Sequence, residues 1–264
     1  MSWVITPSFT QWTPALITTA LWLDAADAAT ITASGSALSQ WNDKSGNARH
    51  LNTVGGSGSI STGTRTLNSK NVLDFPGTAN LSRTSFSTTE NNGWAYLVTA
   101  SDATSFSNAG AARFANFGVT GTNNRLFGGV GDFSTYPIAN RVSARLGATS
   151  GSDIQATANI TTSPIILNFG RSFQSDGVLY IDGTLQGSAT PTQNTADHSA
   201  QTLTIAGDAN GYLDGLIGEV ILLKSLPSTN TRQRIEGYLA HKWGLTANLP
   251  ETHPYKYQIP TPGA

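Results

Sequence analysis

Val178-Leu179-Tyr180-Ile181-Asp182-Gly183 reads as a short apolar strand running straight into a two-residue turn. A tight hairpin needs positive φ at its central residues, and Asp-Gly meets that demand at little steric cost. Leu213-Asp214-Gly215-Leu216 opens in the same way, so Asp214-Gly215 is expected to turn the chain before a last long strand at 216–223. Working outward, strand-like stretches recur at 21–24, 38–41, 71–75, 95–100, 113–119, 125–130, 141–148, 153–160, 165–169, 178–181 and 202–206, most of them separated by Gly, Asn, Asp or Pro. Short strands at this spacing, with almost no helical period, predict an all-β sandwich of two antiparallel sheets. Val54-Gly55-Gly56-Ser57-Gly58-Ser59 reads as a flexible loop.

One segment departs from the pattern. After Pro227, residues 229–243 place Ile235, Leu239 and Trp243 four apart with Tyr238 beside them, which is one helix face. Ser228 is placed to cap its start and Gly244 to supply the left-handed residue past its end. Arg232, Arg234 and Lys242 fall on the polar face, and the expected role is a lid over one edge or end of the sandwich. The chain therefore divides into an N-terminal arm (1–19), a sandwich (20–227) and a C-terminal helix with a proline-rich, extended tail (228–264). Trp3 and Trp12 in the arm suit either docking on another chain or packing at the edge of their own domain.

Composition narrows the function. The 264 residues are 38% hydrophobic, enough to fill one core, and only 12% charged, about half the usual share. Net charge is -1 with no Lys/Arg block, so no face neutralises nucleic-acid phosphates. No apolar run approaches a membrane span, and the first residues lack the basic and apolar regions of a secretory signal. Cysteine is absent, which removes thiol nucleophiles and zinc–thiolate sites and leaves the compartment open. His50, His198, His241 and His253 have no zinc-binding spacing, and no nucleophile elbow or phosphate loop occurs.

Two candidate sites remain. Asp43, Ser45 and Asn47 present oxygens at alternate positions, as in the opening of a calcium loop, which makes calcium the one candidate ion. Only one of the three is charged and no bidentate Glu follows, and a self-capped Asx turn explains the same residues. Asn123 and Asn124, followed by Asp132, Phe133 and Tyr136, combine aromatic platforms with hydrogen-bonding groups, the composition a sugar's apolar face and hydroxyl rim require. Ordinary loop chemistry accounts for that composition too.

Several stretches together resemble the laminin G-like branch of the concanavalin A-like lectin/glucanase superfamily. They are Asp43-Lys44-Ser45-Gly46-Asn47, Val72-Leu73-Asp74-Phe75-Pro76-Gly77, Val178 to Gly183, Leu203-Thr204-Ile205-Ala206-Gly207 and Leu213-Asp214-Gly215-Leu216-Ile217-Gly218-Glu219-Val220, where Gly218 stands in place of the customary Asp. The resemblance implies a jelly roll of two curved antiparallel sheets but no single activity. Laminarinase-like enzymes of this fold carry Glu-x-Asp-x-x-Glu on one strand, whereas the four glutamates here, Glu90, Glu219, Glu236 and Glu251, are scattered. Glu219 is expected to be a structural carboxylate bonded to nearby backbone. The helix and the Gly244-Leu245 and His253-Pro254-Tyr255 segments resemble tails on such modules in phage virion and bacterial surface proteins. The expected function is a non-enzymatic phage virion protein, a capsid decoration or a tail or baseplate component, with other virion proteins and copies of itself as partners. The alternative is a carbohydrate-binding adhesin or receptor-binding module on a virion or bacterial surface, meeting host glycans, and a glycoside hydrolase ranks third.

Overall fold

The computed structural model describes residues 10–86, 93–104, 112–117, 126–130, 140–145, 153–171, 177–189, 201–208 and 211–263. In chain order the strands are β1 (Leu21–Asp24), β2 (Ile31–Ser34), β3 (Ala37–Trp41), β4 (Thr53–Gly56), β5 (Ser61–Leu67), β6 (Lys70–Pro76) and β7 (Ala79–Phe86). There follow β8 (Gly93–Ser101), β9 (Ala112–Phe117), β10 (Leu126–Val130), β11 (Arg141–Arg145), β12 (Asp153–Asn159), β13 (Ile165–Arg171) and β14 (Gly177–Ile181). The last are β15 (Thr184–Ala189), β16 (Gln201–Ile205), the small ribbon β17 (Gly207–Asp208) and β18 (Gly211–Tyr212), and β19 (Asp214–Leu223), before helix α1 (Thr229–Trp243).

One sheet runs β15-β14-β13-β8-β19-β6-β5-β3-β2, with β1 paired to β19 beyond the end of β6; the other runs β12-β11-β10-β9-β16-β7-β4. Every pairing between strands is antiparallel. The two-sheet architecture expected from the strand spacing is therefore present. Between the sheets lie Leu97, Phe169, Val220 and Leu222 from the first and Phe114, Val142 and Ile205 from the second, all buried. The Phe169 ring fills the place of a side chain on β10, since a Cβ at Gly128 would lie 2.5 Å from it.

The second face of the larger sheet is also covered. Trp94, Tyr96, Val98 and Ile221 on that face pack with Ile235, Leu239 and Trp243 of α1 and with Trp12 of the arm. Strands buried on both sides read as unbroken apolar runs instead of alternating ones, which is why β8 and β19 are so hydrophobic. The helix thus forms a third layer over a sheet face, where a lid over an edge was expected. Its ends match the expectation: Ser228 Oγ accepts from Thr231 N at 3.1 Å, and Gly244 is left-handed at φ 73°. The tail departs from its expected extended course. It turns back over the helix with Leu249, His253 and Tyr255 buried, and a Cβ at Gly237 would meet Tyr255 Cβ at 2.4 Å.

Two glycine readings also change. Gly55 and Gly56 belong to the edge strand β4, not a flexible loop: Cβ atoms there would collide with Asn80 of β7 and with the carbonyl of Thr78 just before it. Asp214-Gly215 lies within β19 opposite Pro76 and Phe75, and the glycine is needed because a Cβ would lie 2.1 Å from the Ala100 carbonyl.

Asp182-Gly183 does form the tight turn, with φ 49° and 76°, and Ile181 pairs with Thr184. The Asp182 carboxylate accepts from Ile166 N at 2.8 Å, and burial raises its pKa from 3.8 to about 6. Because folding favours the protonated form, this group contributes most below pH 3.8, and its contribution falls as pH rises through 6. Asp182→Asn keeps the acceptor and suits the left-handed turn. Denaturant titrations from pH 4 to 7 should show the variant gaining up to about 3 kcal/mol relative to wild type over that window; parallel curves would refute the assignment.

Candidate functional site

The register between β19 and β8 slips by one residue at Gly218, where Ile217 faces Thr99 but Glu219 faces Val98. In an unbroken strand Glu219 would share the inner face with Ile217; the bulge turns it to the helix side. Glycine is required there because the Trp243 ring lies 2.9 Å from where a Cβ would stand. Glu219 is fully buried and its carboxylate accepts from Trp22 Nε1 (2.7 Å), Trp243 Nε1 (2.8 Å), Tyr238 Oη (3.0 Å) and Lys242 Nζ (2.7 Å). The structural role expected for Glu219 holds, but its partners are distant side chains in place of nearby backbone. Burial pushes its pKa up, while Lys242 and the donors around it pull the other way. Burial also raises the Tyr238 hydroxyl, with the Glu219 charge adding to it.

Lys242 carries the network outward. Its ammonium also meets Asp24 at 2.6 Å, and Asp24 in turn binds Lys44 at 3.0 Å; Lys44 reaches Asp27 at 2.7 Å and lies 4.4 Å above the Trp22 ring. The expectation that Lys242 and Arg232 point to solvent from a polar helix face is overturned. Arg232 is nearly buried against Glu236 at 2.6 Å, and Glu236 also accepts from Asn168 (2.8 Å) and His253 Nε2 (3.1 Å). His253 Nδ1 accepts from Tyr255 N at 3.3 Å, and with Nε2 on Glu236 the ring fastens the tail to the helix.

Above the first network opens a pocket of about 480 Å³, within the range of small-ligand sites. The arm contributes Gln11 and Thr13, β1 gives Trp22 and Asp24, and the turn after β3 gives Lys44. Asn68 and Lys70 come from the β5–β6 hairpin, Tyr238, His241 and Lys242 from α1, and Ile259 from the tail. The hairpin is held to the helix by Asn68 Nδ2, which donates to the Lys242 carbonyl at 3.0 Å. A second cleft of about 430 Å³ beside β2 and β5 is lined mainly by alanine and glycine and offers only Thr62 and Asn71 as polar side chains.

The residues singled out from sequence fall elsewhere. The Asp43 carboxylate is already engaged by four protein donors: Trp22 N (3.0 Å), Ser45 N (2.9 Å), Ser45 Oγ (2.7 Å) and Arg49 N (2.9 Å). Asn47 Nδ2 donates to the Thr19 carbonyl and to Ser45 Oγ. Asp43, Ser45 and Asn47 therefore form the self-capped turn, with the lone pairs a calcium ion would need already used, and the calcium reading is corrected accordingly. Among the described residues no group of three or more His, Asp or Glu is placed to hold a metal. Trp12 is 2% exposed, packs edge-on against Tyr238 and donates its backbone N–H to the Pro260 carbonyl at 2.8 Å, so it belongs to its own domain's core and is not a docking side chain. Trp3, Asn123, Asn124, Asp132, Phe133 and Tyr136 lie outside the described residues. The flanks of the two glycan candidates are described: Phe117 and Leu126 stand at one end of the second sheet, Val130 and Asn140 at the other.

No protein-family model matches the chain, and no curated protein matches it in sequence. Solved structures do match its fold. Domain 4 of AbnA, a GH43 extracellular arabinanase from Geobacillus stearothermophilus, in complex with arabinotriose, aligns with TM-score 0.56 at 12% identity over 80% of this chain and 94% of that one. A botulinum neurotoxin type C structure, which interacts with two ganglioside molecules, aligns with TM-score 0.58 at 12% identity over 84% of this chain. The binding domain of botulinum neurotoxin DC in complex with SialylT gives 0.58 at 12% over 85%. The chain spans about half the length of each neurotoxin structure, 51% and 52%. At these identities the likeness establishes the fold, an all-β sandwich, and no more.

Glu219→Leu would leave two buried indole N–H groups and the Tyr238 phenol without their acceptor and would take from Lys242 one of its two carboxylate partners. A loss of about 3–5 kcal/mol in chemical denaturation is expected. Combining it with Lys242→Met should cost less than the sum of the two single substitutions, because the Lys242–Glu219 ion pair is then lost once and not twice. Additive effects of the two would argue against a shared network.

Proposed function

We propose that this chain is a non-enzymatic carbohydrate-binding module on a lectin-like sandwich, acting through the pocket between β1, the β5–β6 hairpin and α1. The observation that carries the proposal is the pocket itself. It places amide, hydroxyl and ammonium groups from four separate elements around the exposed margins of two aromatic rings, Trp22 and Tyr238, the combination that a pyranose with one apolar face and a hydroxyl rim selects. The structures with the same fold that carry arabinotriose, gangliosides or SialylT support the reading by analogy of architecture.

The charge network supports the absence of catalysis. Asp24 and Glu219 are register partners and share Lys242, so two acids do face one another. A glycosidase needs its carboxyl pair open to substrate and water. Here a lysine lies between them and Glu219 is fully buried.

In its finer form the proposal places the module on the surface of a phage particle, in contact with other virion proteins and copies of itself; the resemblance of the tail supports that setting. Trp12 and Pro14 are buried in the chain's own fold and take no part in the proposed docking.

A glycan array with purified protein should return at least one bound saccharide, and Gln11→Ala combined with Lys70→Ala should weaken it roughly tenfold without lowering the melting temperature. An empty array at high protein concentration would overturn the carbohydrate reading. For the virion setting, deleting residues 1–9 should abolish incorporation into particles while leaving the fold intact, and unchanged incorporation would count against it.

A further inference from the structure

The pocket's charges are unequal in a way that bears on which saccharide it takes. Three ammonium groups line it, from Lys44, Lys70 and Lys242, against the single carboxylate of Asp24. Asp24 is not free to act as a hydrogen-bond acceptor for sugar hydroxyls: Oδ1 accepts from Lys242 at 2.6 Å and from Ala26 N at 3.2 Å, and Oδ2 from Lys44 at 3.0 Å. The charges that balance Lys44 and Lys242 stand away from the opening, on Asp27 and on the buried Glu219, neither of which lines the pocket. Lys70 has no ion pair and no hydrogen bond among the described residues, although it is half-buried at the wall. It follows Asn68 and Ser69, whose φ values of 49° and 59° make a tight left-handed turn, and Asn68 fastens that turn to the end of α1. The lysine is thus carried on a positioned hairpin and not on a free loop.

A pocket wall with fixed cations, no available carboxylate acceptor and one uncommitted ammonium group favours an anion over a neutral ligand. Resting on the carbohydrate reading above, we propose that the ligand is an acidic saccharide, whose carboxylate meets Lys70 while its ring lies towards Trp22 and Tyr238. His241 Nε2 is turned to the Tyr255 carbonyl, 2.9 Å away. The same chemistry is available from a terminal sialic acid or from a uronic acid, and the two are separable by experiment.

The test is isothermal titration of the full chain with two matched pairs: 3′-sialyllactose against lactose, and an oligogalacturonate against its methyl ester. One acidic member should bind at least tenfold more tightly than its neutral partner, equivalent to about 1.4 kcal/mol, and the pair that responds identifies the source. Raising salt from 50 to 500 mM should erode the preference. Lys70→Glu should abolish it, and Lys70→Gln should reduce it, with melting temperatures unchanged because Lys70 makes no internal contact of this kind. Equal affinity for acid and neutral members, or a preference that survives Lys70→Glu, would overturn the acidic-ligand proposal and leave the carbohydrate reading standing. Failure of all four saccharides, together with an empty array, would remove both.

Discussion

A fully buried carboxylate is the most demanding group in this molecule. Glu219 lies on the central strand of the larger sheet with no access to solvent, and ionised carboxylates are stable in such a place only when their lone pairs are filled. Its four donors come from β1 and from three positions of α1. To satisfy Glu219 the helix must lie on the sheet in one rotation and at one height. Hydrophobic contact alone would be content with several arrangements. The bulge at Gly218 and the missing side chain there are part of the same arrangement, since one turns the carboxylate outward and the other makes room for Trp243.

The remaining outer structure follows from that seating. With α1 fixed, the tail is held across it by His253 on Glu236, and by close approach at Gly237. The arm is then trapped between helix and tail, with Trp12 on Tyr238 and the Pro260 carbonyl. Three segments distant in sequence therefore meet at one seam, and the pocket is the space they leave over Asp24 and Lys242. A ligand there would be read by side chains whose positions the buried network already holds, which lowers the ordering cost of binding.

The sandwich and the third layer serve different ends. The two sheets close over an ordinary apolar core, while the outer layer mixes aromatic packing with buried ion pairs. Burying ions this way costs desolvation that hydrophobic groups would not incur, and what it gives is a defined geometry. That is the property the proposed recognition surface would need.

By itself the sequence determined the elements whose cause is local. The Asp182-Gly183 hairpin, the caps at Ser228 and Gly244, and the apolar runs of β8 and β19 each follow from a backbone angle or a side-chain period within a few residues. The self-capped turn at Asp43 was legible on the same ground. Tertiary structure alone decided which face Glu219 points to, since a one-residue slip against β8 reverses it and nothing local to Ile217-Gly218-Glu219 announces the slip. It likewise decided that Lys242 and Arg232 turn inward to ion pairs, that Gly55, Gly56 and Gly215 serve close strand contacts, and that Lys44, Lys70 and His241 share a wall. Those facts depend on contacts between residues tens to hundreds of positions apart, such as Lys242 with Asp24, and a pattern read along the chain carries no record of which distant groups will meet.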